Sequence, residues 1–115
     1  MPAHATSLAW IALLIGGFCE LALVHFMRAA AGRILSWQFL TACAVGCLGC
    51  VFVTYAARFF PSATVYIMWV GIGGLLITIT GMLAWNEPAS AVRILGILLV
   101  LAGLIVLRIT AQPAA

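Results

Sequence analysis

The sequence predicts an all-α membrane protein, four transmembrane helices in an up-down bundle. Three observations carry that prediction. Of its 115 residues 67% are hydrophobic and only 6% charged, whereas a soluble domain carries about 25% charged residues. The apolar residues fall into four blocks, at about 7–27, 34–57, 61–85 and 91–109, each near the roughly 20 residues that a bilayer crossing needs. The connections between them are short, which sets successive helices antiparallel. The expectation is a single four-helix domain over residues 1–115, with both termini on one side of the membrane. It leaves no room for an ATPase domain, a receptor ectodomain or a nucleic-acid module.

The first block, Ser7–Met27, lacks the basic flank of a secretory signal and is too long for one, so it is the first span. Arg28–Arg33 follows, where Gly32 can end the helix. The second span, Ile34–Ala57, leads into Arg58-Phe59-Phe60-Pro61, and a proline is tolerated in the first turn of the third helix. The third, Pro61–Trp85, ends at Asn86-Glu87-Pro88-Ala89-Ser90, whose Ser90 is a plausible cap for the fourth, Ala91–Ile109. Trp10, Trp37 and Trp85 stand at span ends, as interfacial aromatics do.

The net charge of +3 comes from five arginines and no lysine, spread over helix ends. They form no polybasic cluster, so no nucleic-acid or lipid-headgroup patch is indicated by the sequence. Arg28, Arg33 and Arg93 share one face; Arg58 and Arg108 share the other. Three against two is a weak bias, nearly cancelled by the α-amino group. If Arg28 and Arg33 dominate, the first loop is cytoplasmic. A chain this balanced can also insert both ways.

Glu20 is the most informative residue. It lies inside a span whose other members after Ser7 are apolar, Gly, Cys or His25, and the chain has only one other acidic residue, Glu87. A charge at membrane depth costs roughly 3 kcal/mol on insertion scales, and such residues usually face a cavity. A carboxylate there can bind a proton or a cation but not both. Exclusive occupancy coupled to alternating access is antiport without a nucleotide. The plainer alternative is a protonated Glu20 acting as an interhelical hydrogen-bonding group, worth about 1 kcal/mol.

Tyr66 and Trp69 are three apart and share a helix face. An aromatic face beside Glu20 would favour a bound cation by about 0.5–2 kcal/mol; packing alone is the other reading. Gly71, Gly73 and Gly74 allow a close helix approach or a hinge in span three. No lysine follows them, so they are not a phosphate loop. Gly96 and Gly103 share one face of span four, a candidate packing seam between subunits. Cys43, Cys47 and Cys50 superficially resemble a metal-ligand run. They lie on one apolar helical stripe with Gly46, where cysteine acts as a small hydrophobe at helix contacts. No metal is expected there. His25 lies about 140° around the helix from Glu20 and reads as packing or headgroup-facing.

Taken together at fixed spacing, these residues resemble the small multidrug resistance family, four-helix transporters that work as antiparallel dimers. The likeness runs from about Trp10 to Ile109 without a gap. Glu20 matches the family's first-helix carboxylate, Arg28 and Gly32 its helix-closing pair, and Trp37 the opening of its second helix. Pro61-Ser62-Ala63-Thr64-Val65-Tyr66-Ile67-Met68-Trp69 resembles its Pro-to-Trp motif, with the Tyr and Trp of the binding site. Gly71 and Gly73 match the third-helix bend, and Gly96 through Gly103 the dimerisation segment. The resemblance implies proton-coupled export of small organic cations or amines, with proton- and substrate-binding at Glu20, Tyr66 and Trp69. It implies a multi-pass protein of the bacterial inner membrane that is not an enzyme, needs no cofactor and draws on the proton gradient. Two dimer carboxylates at the midplane would titrate as a coupled pair.

The chain also departs from the family pattern. Leu23 and Val24 stand where members offer small, hydroxyl-bearing or Trp residues, Gly46 where many have Tyr or Ser, and Val70 where a small polar residue is common. The site is drier, which argues against guanidinium-type specificity. A paired, heterodimeric arrangement, in which a second chain supplies polar groups, is favoured slightly over a homodimer. A non-transporting assembly subunit and a flippase of a lipid-linked substrate are the alternatives.

Overall fold

A computed structural model describes residues 3–110. Four helices follow one another: α1 (Ala3–Ala30), α2 (Trp37–Ala56), α3 (Ser62–Ala84) and α4 (Ala91–Thr110). All four are long and apolar enough to cross a membrane, and no strand occurs among the described residues. The protein is an all-α, four-helix, multi-pass membrane protein.

The helix ends show why the apolar blocks alone misplace boundaries. α1 is helical from Ala3, ahead of the apolar block, because the polar His4, Thr6 and Ser7 interrupt the hydropathy signal without ending the helix. It stops where Ala31 and Gly32 take left-handed backbone angles, φ 49° and 80°. Gly32 does so freely, whereas Ala31 bears a Cβ strain of about 1–2 kcal/mol. Arg33 offsets part of that by donating from Nε to Ala30 O (2.9 Å) and from Nη2 to Ala29 O (3.1 Å), which satisfies terminal carbonyls. α2 starts at Trp37 because Ser36 caps it: its hydroxyl accepts from Phe39 N at 3.3 Å. Ser90 caps α4 in the same way, accepting from Arg93 N at 3.2 Å. Pro61 stands just outside α3, as its N-cap.

α1 is the hub. It packs against α2 on one side and α3 on the other, whereas α4 joins the molecule along α3. The α1–α2 seam uses small residues: Ala42, Gly49 and Ala56 are buried on α2, and on α1 the buried Gly16 faces Val53 of α2, whereas Gly17 faces Ile72 and Gly73 of α3. Close backbone approach is how helices gain packing energy in lipid, where burial of apolar surface gives no drive. Cys43, Cys47 and Cys50 are exposed beside this seam and not within it. The expectation that they line a helix contact within the chain is corrected: Gly46 does so, and a Cβ there would come 2.7 Å from Leu23 Cδ1.

The core comprises Ala9, Leu13, Ala56, Phe60, Val65 and Met68. These come from the start of α1, the end of α2 and the start of α3, so the packed half is the half next to the Arg58 loop. Beyond Met68 the residues facing inward become small. Glu20 sits at that transition.

Candidate functional site

The α1–α3 interface around Glu20 is organised by glycines on both helices. Gly16 precedes Glu20 by one turn, and its carbonyl accepts a hydrogen bond from Trp69 Nε1 at 3.1 Å. A Cβ on Gly16 would lie 3.3 Å from that nitrogen and 3.1 Å from Val53 Cγ2, so any larger residue would crowd the approach and push a neighbour aside by a few tenths of an ångström. One turn beyond Trp69 on α3, Gly73 is buried, and the Glu20 side chain occupies the space a Cβ would need there. Glu20 and Trp69 are thus neighbours on a diagonal, each seated against a glycine of the opposite helix.

Trp69 is half-buried and its ring packs against the core, while Tyr66 is exposed and meets Trp69 edge-on, with centroids 6.1 Å apart at 80°. The structure therefore brings Glu20 and Trp69 together and leaves Tyr66 on the protomer's surface, joined to them through the Trp69 ring. With its N–H engaged by Gly16, Trp69 has its ring left for other contacts. The Glu20 carboxylate accepts no hydrogen bond from any of the described residues. Leu23, one turn on from Glu20, lies over Gly46, so the place where a second-helix hydroxyl would stand holds a methyl group. Val70 is exposed.

The other singled-out glycines divide clearly. Gly71 lies under Leu104 of α4: a Cβ would come 2.6 Å from Leu104 Cδ2. It lets α4 approach α3. Gly74, Gly96 and Gly103 would meet nothing within 4 Å and face open space in the protomer. α3 runs as one uninterrupted helix through Gly71 and Gly73, and both glycines serve close contacts.

Sequence reasoning missed the polar work at the membrane face formed by the first and third loops. The backbone N–H groups of Trp85 and Glu87 both donate to Gly81 O (3.2 and 3.0 Å), with Asn86 in a left-handed conformation (φ 54°). This fold-back lays Glu87 against Gly81, where a Cβ would come 2.6 Å from Glu87 Oε2, and points its carboxylate at Arg93. The two form the ion pair of this chain's described residues. The asparagine before Glu87 was the available signal, since Asn tolerates that backbone region. His25 turns away from Glu20 and stacks on Trp85, centroids 6.5 Å apart at 21°, while Arg28 lies over the same ring at 4.3 Å. Among the described residues no three His, Cys, Asp or Glu side chains are grouped so as to hold a metal.

The arrangement sets a carboxylate that accepts no hydrogen bond from the described residues close to an indole ring. Comparison with known proteins agrees with a transport role. The model of the family described as Small Multidrug Resistance protein matches residues 8–100. A protein named guanidinium exporter from Citrobacter freundii is 31% identical over 103 residues, covering 90% of this chain and 98% of that protein. One of the same name from Salmonella typhimurium is 32% identical over 106 residues, covering 91% of this chain and all of that protein. Another, from Yersinia pseudotuberculosis, is 33% identical over 103 residues, covering 89% and 98%. With four membrane-spanning helices and a family match over most of its length, this chain is a transporter, not an enzyme, and belongs to the Small Multidrug Resistance protein family.

Proposed function

We propose that this chain is one subunit of a proton-coupled antiporter that exports small cationic or amine compounds across the bacterial inner membrane. The observation that carries the reading is Glu20: a carboxylate at mid-depth, seated against Gly73, with no donor among the described residues to satisfy it. Such a group is costly unless a ligand or proton neutralises it. Proton and cation then exclude one another, and export follows when the two occupancies favour opposite openings of the site. The Trp69 ring, held by Gly16, stands one turn away and offers a cation its face.

One protomer is too thin to enclose a substrate, because Tyr66 and the outer flank of α4 are bare. An antiparallel dimer would close the site and bring two Glu20 carboxylates together as a coupled pair. Gly96 and Gly103, with open space over both, suit such a contact.

The relatives are named guanidinium exporters, yet the surroundings of Glu20 favour amines and alkylated cations here. A guanidinium is best held bidentately, by a carboxylate fixed in its plane. Leu23 over Gly46 leaves Glu20 nothing to fix it. A paired paralogous subunit that contributes the missing hydroxyl would restore that support, and this favours the heterodimer over the homodimer.

The test is proton release from the purified protein in detergent on adding a panel of organic cations, with Glu20→Gln alongside. Release that disappears in the variant supports competitive binding at Glu20. Equal release by both proteins would refute it. Release only after co-expression with a paralogous chain would assign the site to a heterodimer.

A further inference from the structure

The face of the membrane that carries Arg58 and Arg108 has no acidic side chain at all: the chain's two carboxylates are Glu20, at mid-depth, and Glu87, paired with Arg93 at the opposite face. Arg108 is exposed in the last turn of α4, and its guanidinium lies over the Trp10 ring at 4.9 Å from the centroid. None of its N–H donors has an acceptor among the described residues. Trp10 therefore fixes the position of a cation whose hydrogen-bonding capacity is unspent.

Directly beneath this cation is a cleft of about 430 Å³ between α1, α3 and α4. Ser7, Trp10 and Arg108 form its mouth, and Ile11, Leu14, Ile72, Leu104 and Ile105 its walls. From Ser7 to Leu14 the α1 wall descends about 10 Å at 1.5 Å per residue, some two thirds of one leaflet of a roughly 30 Å hydrocarbon core. A groove that is polar and cationic at the interface and wholly apolar below has the profile of a phospholipid with a negative headgroup.

A second copy of the chain fits this flank poorly. Helix contacts in lipid favour small residues, and on α4 these are Gly96 and Gly103. Gly103 lies about 140° around the helix from Arg108. The two flanks of α4 thus differ in kind: one lined by glycines with Arg93, already paired to Glu87, at its start, the other bulky with Arg108, unpaired among the described residues, at its end.

We propose that the α1–α3–α4 cleft is a binding site for one anionic phospholipid, its phosphate on the Arg108 guanidinium and an acyl chain along Leu14, Ile72 and Leu104. Arg108 is pre-positioned by Trp10, so the phosphate finds the planar donor fork already placed. The site is separate from Glu20 and does not depend on the transport reading.

The experiment is native mass spectrometry of the full chain extracted from vesicles of equal parts phosphatidylglycerol and phosphatidylcholine. The wild type should retain phosphatidylglycerol over phosphatidylcholine by about fivefold, the discrimination that one arginine near an anionic surface gives. Arg108→Gln should bring the ratio close to one, while Arg58→Gln, on the same face but outside the cleft, should leave it unchanged. Ile105→Trp, which fills the cleft, should lower retention of both lipids. Equal retention of the two lipids by the wild type would overturn the proposal, as would equal losses in the Arg58 and Arg108 variants. Dissociation of dimers by Ile105→Trp with lipid retention intact would assign the cleft to a protein contact instead.

Discussion

Replacing Gly73 with alanine tests the site without touching any of its chemical groups. The new Cβ would come 2.8 Å from Glu20 Cδ and 3.0 Å from Glu20 Cβ. The carboxyl group can rotate away, at an off-rotamer cost of about 0.5–1.5 kcal/mol. The Glu20 Cβ is fixed to α1, so α1 and α3 must also separate by a few tenths of an ångström. Overpacking of this kind costs about 1–3 kcal/mol. If that strain falls on the cation-bound state, which needs Glu20 in place, affinity drops by about 5- to 150-fold. Gly74→Ala is the matched control. It makes the same change one residue along the same helix, with the same gain in helix propensity of about 1 kcal/mol, and its Cβ would meet nothing within 4 Å. The assay is cation-induced proton release, titrated for both variants. Wild-type affinity in Gly73→Ala would refute the claim that Gly73 makes room for Glu20. An equal loss in both would point to backbone flexibility, the bend reading of this glycine cluster.

The remaining predictions address separate parts of the structure. Glu20→Gln and Glu20→Ala should abolish proton-coupled export while the protein still folds; transport at the wild-type rate by either would rule out the mechanism. Trp69→Phe keeps a ring but loses the hydrogen bond to Gly16, so cation affinity should fall by several-fold, and Trp69→Ala should remove it nearly completely; wild-type affinity in Trp69→Phe would show that the Gly16 bond contributes nothing. Leu23→Ser should raise guanidinium affinity relative to alkylamines, read as the ratio of proton-release midpoints, because it places a hydroxyl one turn from Glu20; an unchanged ratio would separate Leu23 from specificity. Ser36→Ala removes the α2 cap and should cost about 0.5–2 kcal/mol in unfolding by denaturant, with no change in cation affinity.

Much of the fold is written in hydropathy, because in a bilayer each helix satisfies its own backbone and must be apolar over its length. Helix ends are less visible, since they lie where that constraint fades. Ser36 was readable as a cap, standing just before an apolar run as Ser90 does, but the apolar residues Ile34 and Leu35 before it obscured the boundary. Glu20 announces itself because a lone acid in an apolar run has few explanations. What surrounds it does not. The Trp69 bond to Gly16 joins residues 53 apart, and no local pattern encodes which backbone carbonyl an indole will find. Gly73 looks in sequence like a bend. Its contact with the Glu20 side chain, which occupies the place of the missing Cβ, joins two distant helices and has no local signal. The Glu87–Arg93 pair spans a loop whose fold-back depends on Gly81 lacking a side chain, a tertiary condition that spacing along the chain cannot convey.

α4 has no buried residue and packs on the other helices mainly along α3, with Arg93 paired to Glu87 of the third loop and Arg108 on Trp10 at its two ends. Mechanically the protomer is a three-helix body with an outrigger. Were α4 held still in the membrane by a neighbour, the body could tilt against it by sliding one seam, with Leu104 moving over Gly71, where a glycine offers the least friction. The seams inside the body, α1 on α2 and α1 on α3, would travel unbroken. In that case the fourth helix would act as a fixed post, and the carboxylate would ride on the part that moves.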